Sequence, residues 1–415
     1  MKILMVNKFL YPNGGSETYM FKLGAYLKSI GHEVEYFGME HEGRCVSNSL
    51  GLYTETMDFH NSSALKKIKL SLKTIYSKEA KDKMLAVLEN FKPDVVHLNN
   101  FNFQLTPSII YAVKEKGIAL VETVHDCQIA CPNHRMYIEH KSENCDACLG
   151  GNYFNCAKNK CVHNSAVQSL LAAAESYIYH KKNTYNLVDR YICPSNYMKE
   201  TIAKGGIEES RLTVLHNFIE KNNKDYTLQT NEKYVLYFGR ISIEKGIKTL
   251  VDVIKELPHI KFVFVGDGPL EDYCKSIENL ELAGRKSGNE LKQYIANAAF
   301  SVCPSEWYEN CPMTIIESLS LATPVIGSDL GGIPELISNN YTGLIFKHND
   351  KEDLKKKISY LWENDEIISK MSKNAINSSD NTIEKYTEKH SCTFTAVASS
   401  GVQKTFEDIW RMRKT

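Results

Sequence analysis

The 415-residue sequence has no net charge, because 50 lysines and arginines balance 50 aspartates and glutamates. A chain without an excess of positive charge gives no reason to expect a nucleic acid as a partner. Long apolar runs are also lacking. The N-terminal apolar run, Ile3 to Val6, is too short for a signal peptide, and no run approaches the roughly 20 residues of a membrane-spanning helix. These absences predict a cytoplasmic protein.

The length of the chain exceeds that of one usual hydrophobic core, so two domains are expected. We predict a first domain over residues 1–220 and a second over 234–390. Residues 221–233 are polar, lack periodicity and are predicted to be the linker. A terminal segment, 391–415, is predicted to pack back on the first domain.

The chain opens with a strand, a glycine-rich turn and a helix, which together predict a Rossmann-like fold. The strand is Ile3 to Val6 and the turn is PNGG. Ser16 is predicted to cap the helix. Because Gly14 and Gly15 lack side chains, the backbone there can approach a phosphate or a sugar closely. The alternative is a plain tight turn.

Two later strands of the first domain end in polar side chains. One is PDVVHLNN, and the other is VETVHDC, which places His125 and Asp126 at its carboxyl end. Ligands of open α/β sheets bind at that end of the strands. His125 is therefore a candidate ligand-binding residue, although a lone histidine is more often structural.

Six of the twelve cysteines lie in an insertion over residues 127–163: Cys127, Cys131, Cys145, Cys148, Cys156 and Cys161. Cysteines of a cytoplasmic protein are mostly reduced, so a cluster suggests a metal before disulfides. The spacings Cys145-x2-Cys148 and Cys156-x4-Cys161 suit a tetrahedral zinc site. We predict a structural zinc bound by these four residues, and the alternative is an ordered loop with reduced cysteines.

In the second domain two cations follow a strand. Arg240 comes directly after the strand from Tyr234 to Phe238, and Lys245 lies at the entry to the next helix. Lysine is unfavourable at a helix N-terminus, so its presence there needs a reason. Two cations at a strand-to-helix turn can hold a diphosphate. The alternative is a pair of ordinary surface charges.

Residues 300–346 contain two glutamates separated by seven residues, Glu309 and Glu317. A helix is predicted from about Met313, with Glu309 in the loop before it and Glu317 just inside it. The free N–H groups at Met313 and Thr314 then favour a phosphate. Asn310 is a candidate for hydrogen bonding to a sugar hydroxyl. The alternative reading of the two glutamates is a pair of solvated carboxylates.

The E-x7-E pair, SDLGGIPELI, FGRISIEKGIKTLV and FVGDGPL together resemble the retaining nucleotide-sugar glycosyltransferases of family 4. The resemblance implies an α/β protein of GT-B architecture, with two Rossmann-like domains facing across a cleft. It also implies a hexosyltransferase that needs no cofactor for catalysis, and the chain has no Asp-x-Asp for a metal-bridged diphosphate. Some members carry a similar cysteine-rich insertion.

The resemblance further assigns roles to single residues. The turn at Gly14 and Gly15, together with Arg240 and Lys245, would hold the donor diphosphate, with Glu317 on the ribose. Glu309 and His125 would contact the transferred sugar. The acceptor would be a glycan or a lipid-linked glycan, in surface polysaccharide synthesis. The alternatives are a glycan phosphorylase with a pyridoxal phosphate lysine, and a non-catalytic protein that binds sugar nucleotides or glycans.

Two further segments carry predictions about contacts. Residues 64–83 form a lysine-rich amphipathic pattern that predicts peripheral contact with the inner face of a membrane. The alternative is a solvated lysine face on a domain helix. In the terminal segment, Phe406, Ile409 and Trp410 are the predicted anchors on the first domain.

Overall fold

A computed structural model describes residues 1–56, 73–220, 232–378, 381–390 and 394. The first half of the chain forms a six-stranded parallel sheet in the order β2-β1-β3-β4-β7-β8. Its strands are almost wholly buried, as expected for a parallel sheet covered on both faces. They are β1 (Lys2–Val6), β2 (Glu33–Phe37), β3 (Val95–Leu98), β4 (Ala119–Thr123), β7 (Arg190–Cys193) and β8 (Leu212–Val214).

Helices cover both faces of this sheet, and an insertion follows β4. The helices are α1 (Gly15–Ser29), α2 (Lys78–Phe91), α3 (Ser108–Glu115), α4 (Phe154–Lys158), α5 (Ala166–Lys181) and α6 (Asn196–Lys204). The insertion contains α4 and a short antiparallel hairpin of β5 (Tyr137–Ile138) and β6 (Glu143–Asn144). Single 3₁₀ turns lie at Glu139–Lys141, Thr184–Leu187 and Glu209–Arg211.

The predicted cap of α1 is wrong. The helix begins at Gly15, so Gly14 takes the cap position and no side chain caps the helix. The hydroxyl of Ser16 instead accepts a hydrogen bond of 3.1 Å from Asn100 Nδ2 at the end of β3. The N-terminus of α1 therefore keeps its backbone N–H groups free of a side-chain cap.

The second half forms another six-stranded parallel sheet, in the order β11-β10-β9-β12-β13-β14. Its strands are β9 (Val235–Phe238), β10 (Phe262–Val265), β11 (Leu280–Gly284), β12 (Phe300–Cys303), β13 (Val325–Ser328) and β14 (Gly343–Phe346). A 3₁₀ turn at Ile243–Lys245 precedes the first helix of this half. The helices are α7 (Ile247–Lys255), α8 (Glu271–Cys274), α9 (Gly288–Asn297), α10 (Met313–Ser320), α11 (Ile333–Leu336), α12 (Lys351–Trp362) and α13 (Asp365–Ser378).

The predicted architecture of two α/β domains with parallel sheets is confirmed. Each sheet has its own hydrophobic core, and the carboxyl ends of the two sheets carry the predicted site residues. Most of the predicted linker, 221–231, lies outside the described residues. The domain boundaries remain predictions.

Residues 381–390 return to the first domain. Thr382 forms a β-bridge with Ile219, and the hydroxyls of Tyr386 and Tyr19 lie 2.6 Å apart. The ring of His390 lies 5.0 Å from that of His97, between centroids. The predicted anchors Phe406, Ile409 and Trp410 lie outside the described residues. Contacts of the C-terminal part of the chain with the first domain therefore begin at Thr382, before the predicted segment 391–415.

The predicted membrane-facing helix over 64–83 falls largely outside the described residues, which resume at residue 73. The helix is interrupted, since α2 begins only at Lys78 with Ser77 as its cap. Lys73 and Lys83 both pair with Glu79, at 3.1 and 2.8 Å. These ion pairs favour the solvated lysine face for the described part. In the described ranges, no helix is long and apolar enough to cross a membrane.

Candidate functional site

Glu309 lies in the loop between β12 and α10 and is almost completely buried. One carboxylate oxygen accepts hydrogen bonds from Lys245 Nζ at 2.5 Å and from Ser305 Oγ at 2.6 Å. Burial opposes ionisation, but the Lys245 ammonium and these hydrogen bonds hold the pKa of Glu309 below its ordinary value. The carboxylate is therefore ionised and firmly oriented.

Lys245 is placed beside this loop by the turn that follows it. Gly246 has φ +71°, and a Cβ there would lie 1.9 Å from the carbonyl oxygen of Pro304. Only glycine permits this close approach, which brings Lys245 next to the Glu309 loop. Burial alone would lower the pKa of Lys245, but Glu309 raises it above its ordinary value. Lys245 is thus a charged cation, and its Nζ lies 5.0 Å from the centre of the Trp307 ring.

Arg240 is exposed one residue after Gly239, at the carboxyl end of β9. The Tyr237 hydroxyl donates a hydrogen bond of 2.6 Å to the Arg240 carbonyl, which fixes the backbone of this turn. The exposed Arg240 side chain therefore starts from a fixed backbone at the same strand end that leads to Lys245. This placement suits the predicted diphosphate contact, which remains a prediction.

Helix α10 begins at Met313, as predicted, with Pro312 at the cap position and no side-chain cap. Met313 and Thr314 are partly exposed, and no side chain caps the N–H groups at this helix start. Glu317 is half-buried one turn further on. Burial raises the pKa of Glu317, opposed by the charges of Lys22 on α1 and Lys292 on α9. Glu317 therefore lies within electrostatic range of charges from both domains.

His125 lies just after β4, and its Nε2 is 3.0 Å from Asn99 Oδ1. Because that amide oxygen accepts, the proton of the neutral ring is assigned to Nε2, which leaves Nδ1 as an acceptor. Burial lowers the pKa of His125 to about 4, although Asp126 opposes the shift. The imidazole is thus neutral near pH 7 and can accept a hydrogen bond from a sugar hydroxyl.

The lowered pKa of His125 gives a prediction about pH. Burial penalises the charged form, so the ring stays neutral from pH 8 down to pH 5.5, where an ordinary histidine would already be mostly protonated. Two-bond ¹H–¹⁵N spectra of the imidazole should show an unchanged Nε2–H tautomer over this range. The His125→Gln variant assigns the signal by its loss. A titration midpoint near or above pH 6 would contradict this assignment.

Asn310 links the two domains directly. Its Nδ2 donates to the Val124 carbonyl at 2.9 Å, and its Oδ1 accepts from the Ser195 hydroxyl at 3.0 Å. Since Val124 precedes His125 and Asn310 follows Glu309, these bonds bring the predicted sugar contacts of both domains together. The amide retains one N–H and one lone pair for the predicted sugar contact.

The turn at Gly331 and Gly332, before α11, packs against the loop that carries Glu309 and Asn310. A Cβ at Gly332 would lie 1.8 Å from the Asn310 carbonyl oxygen, and Gly332 N donates to the Glu309 carbonyl at 2.7 Å. Glu335 then accepts from the backbone N–H groups of Asn196 and Tyr197, at 2.7 and 2.8 Å. A carboxylate is favourable at the start of α6 because of the helix dipole. These contacts tie SDLGGIPELI to the first domain.

Sequence reasoning missed four supporting residues: Asn99, Ser195, Gly332 and Glu335. Each is an ordinary residue type whose importance depends on contacts between distant segments. The available signals were the position of Asn99 at the polar carboxyl end of its strand and that of Gly332 and Glu335 inside SDLGGIPELI.

The turn at Gly14 and Gly15 opens α1 at the carboxyl end of the first sheet. A Cβ at Gly15 would meet nothing within 4 Å, and one at Gly14 would lie 3.3 Å from Glu17 Oε2. The open side of Gly15 has room for a ligand, whereas Glu17 is held by Asn7 Nδ2 at 2.9 Å. Donor binding at this turn remains a prediction.

The predicted zinc ligands lie together in the insertion, with one difference. Cys145, Cys148 and Cys161 line a common cavity, but the fourth cysteine on its wall is Cys131 and not Cys156. Cys156 is completely buried beside Tyr153 and Ala173. Among the described residues, no group of three His, Cys, Asp or Glu side chains already stands in a metal-binding arrangement.

Comparison with known proteins gives the family. Residues 13–223 match the model described as glycosyltransferase family 4, and residues 218–378 match that of the glycosyl transferases group 1. An uncharacterized glycosyltransferase of Methanocaldococcus jannaschii is 29% identical over 261 residues, covering 60% of this chain and 67% of that protein. An uncharacterized protein in the cps region of Klebsiella pneumoniae is 24% identical over 355 residues, covering 81% and 87%.

The fold is similar to that of solved structures. The Anabaena protein HepE in complex with UDP and glucose superimposes with a TM-score of 0.67 at 16% identity, covering 95% of this chain and 100% of that one. At this identity the match shows the fold alone, which is the GT-B arrangement of two facing α/β domains.

Proposed function

The chain belongs to glycosyltransferase family 4, and on that premise we propose that it transfers a sugar from a nucleotide-diphosphate donor to an acceptor hydroxyl with retention. The observation that carries the proposal is the arrangement at the carboxyl ends of β9 and β12. There Lys245 pairs with the ionised Glu309, and the loop that carries Glu309 leads into the uncapped start of α10. A non-catalytic binding protein is disfavoured by membership of a family defined by transfer.

The donor diphosphate is held by positive charge. Arg240 and Lys245 supply full charges, and the N–H groups of Met313 and Thr314 supply the partial charge of a helix N-terminus. The Gly14–Gly15 turn approaches the diphosphate from the first domain, and Glu317 hydrogen-bonds the ribose. These groups stabilise the leaving diphosphate without a divalent metal ion.

The transferred sugar lies between Glu309 and His125, with Asn310 as a further hydrogen-bonding partner. The bond between the anomeric carbon and the phosphate oxygen breaks while the acceptor oxygen bonds to the same face of that carbon. The acceptor proton passes to the departing phosphate oxygen. Glu309 is held by Lys245 and Ser305, which supports an orienting role over that of a nucleophile.

The proposed acceptor and the proposed role in polysaccharide synthesis are based on similar proteins. The Klebsiella relative is encoded in the cps region, which supports a glycan or lipid-linked glycan acceptor in surface polysaccharide synthesis. The Anabaena structure holds UDP and glucose, which supports UDP-hexoses as the first donors to assay.

Retention without a metal is tested by product analysis. The purified protein is incubated with UDP-, GDP- and ADP-sugars in buffer free of divalent ions, with and without glycan acceptors, and the anomeric proton is followed by NMR. We expect an α-linked donor to give an α-linked product, with slow donor hydrolysis when no acceptor is present. A β-linked product, or turnover that requires added Mn²⁺ or Mg²⁺, would overturn the proposed mechanism.

A further inference from the structure

The cysteine-rich insertion encloses a cavity of about 10 Å³, the space of one water-sized sphere. Four cysteines from three separate segments line it: Cys131, Cys145, Cys148 and Cys161. Cys131 follows β4, Cys145 and Cys148 follow the hairpin, and Cys161 follows α4. We propose that these four thiolates bind one structural zinc ion and that Cys156 is not a ligand.

The lining of the cavity supports this ligand set, since all four thiols face it and Cys156 does not. The Cys131 thiol donates a hydrogen bond of 3.0 Å to Asn133 Oδ1, which lines the same cavity. Cys156 is absent from the cavity wall, and its completely buried side chain packs with Tyr153 and Ala173. Its environment is that of a small apolar core residue.

The backbone of the insertion shows why a bound metal ion is needed to stabilise it. Non-glycine residues with positive φ recur through it at His134, Met136, Ser142, Lys160 and His163. Each left-handed residue costs roughly 1 kcal/mol relative to ordinary backbone. The segment KSENCDACLGGNYFNCAKNKC is also poor in apolar residues, so it has few contacts that offset this cost. A closed four-cysteine zinc site would supply the missing free energy.

The thiols must converge for an ion to bind, because no three metal-ligating side chains of the described chain already stand in position. Zinc binding replaces the four thiol protons, which leave to solvent, and forms four Zn–S bonds of about 2.3 Å. The four side chains already line one small cavity, so the change requires them to turn toward its centre.

The zinc site would affect the sugar-binding loop indirectly, through the hairpin of the insertion. The hairpin beyond it reaches the second domain, where Asn144 Nδ2 donates to the Glu306 carbonyl at 2.8 Å and Arg135 lies 5.4 Å from the Trp307 ring. Glu306 and Trp307 belong to the loop that carries Glu309. The zinc thus positions this loop, a consequence that rests on the proposed function, whereas the metal site itself does not.

The test measures zinc in the full-length protein, purified without chelators, by elemental mass spectrometry. We expect about one zinc per chain in the wild type and in Cys156→Ala, and at least a tenfold lower content in Cys131→Ser. The two variants form a matched pair, since each removes one thiol of the same cluster. Cys131→Ser retaining zinc while Cys156→Ala loses it would overturn the ligand set in favour of Cys145, Cys148, Cys156 and Cys161.

If Cys131→Ser does not fold, a second measurement still tests the proposal. Cobalt exchanged into the wild type and into Cys156→Ala should give the d–d and thiolate charge-transfer bands of a tetrahedral four-sulfur site in both proteins. Less than about a tenth of an equivalent of zinc in the wild type, without these cobalt bands, would overturn the proposal, as would a thiol titration that finds disulfides in the insertion. Donor turnover is measured separately, so failure of the metal site is distinguishable from failure of the proposed transferase chemistry.

Discussion

Lys245→Met is expected to lower kcat/KM for glycosyl transfer by about 10² to 10³, the effect typical of removing one donor that stabilises developing negative charge. The side chain is half-buried, and its Nζ lies 2.5 Å from Glu309 in the loop that leads into α10. As the diphosphate leaves, its charge must be met by this ammonium. Steady-state kinetics with the preferred donor checks the expectation.

The loss of Lys245 also leaves Glu309 buried without its cation, which typically costs about 3–5 kcal/mol of stability. The double variant Lys245→Met/Glu309→Gln removes both charges and should recover most of the thermal stability but none of the activity. Lys255→Met, on the exposed face of α7, is the matched control and should leave turnover unchanged. Near wild-type turnover in Lys245→Met, or recovery of activity in the double variant, would contradict the catalytic role.

Gly332→Ala is expected to reduce activity by about 10² because it displaces the Glu309 loop by roughly 1 Å. The added methyl carbon would lie 1.8 Å from the Asn310 carbonyl oxygen and 2.9 Å from Ser195 Cβ. The Asn310 backbone in the second domain and the Ser195 side chain in the first must therefore move. The fall should appear in kcat/KM, together with a loss of about 1–3 kcal/mol in unfolding free energy.

Gly288→Ala is the matched control for this prediction. A methyl group there meets nothing within 4 Å, although φ is +57°. It should lose about 1 kcal/mol of stability through left-handed strain and keep its activity. If Gly332→Ala were as active as this control, the close approach would not support the Glu309 loop.

Most of the fold could be predicted because buried parallel strands are short apolar runs separated by helices. Strands were expected at Ile3 to Val6 and Tyr234 to Phe238, and they are found at Lys2–Val6 and Val235–Phe238. The helix start at Met313 was also correct. The cap of α1 was missed because Ser16 has a better partner in Asn100, 84 residues away. Local sequence does not carry such a contact.

Candidate site residues could be predicted where a charged residue stands at a position that its charge would normally disfavour or that suits ligand binding. Lys245 at a helix entry and Glu309 before one are such cases, and the structure pairs them directly. The interface contacts of Asn310 and Glu335 were not predictable, because they depend on how the second domain meets Val124, Ser195 and the start of α6. Cys156 was predicted as the fourth cysteine of the cluster, but Cys131 lines the cavity instead. This was not predictable either, because spacing in the sequence cannot show which cysteine faces inward.

The central claim is that the second domain binds a nucleotide-sugar diphosphate through Arg240, Lys245, the start of α10 and Glu317. Thermal unfolding with UDP, GDP, ADP and their common sugars, in the wild type and in Glu317→Ala, tests it most directly. A ligand present at 100 times its Kd should raise the unfolding free energy by about 2.7 kcal/mol. We predict this rise for one nucleotide family in the wild type and its loss in Glu317→Ala, whereas no rise with any nucleotide would contradict the account.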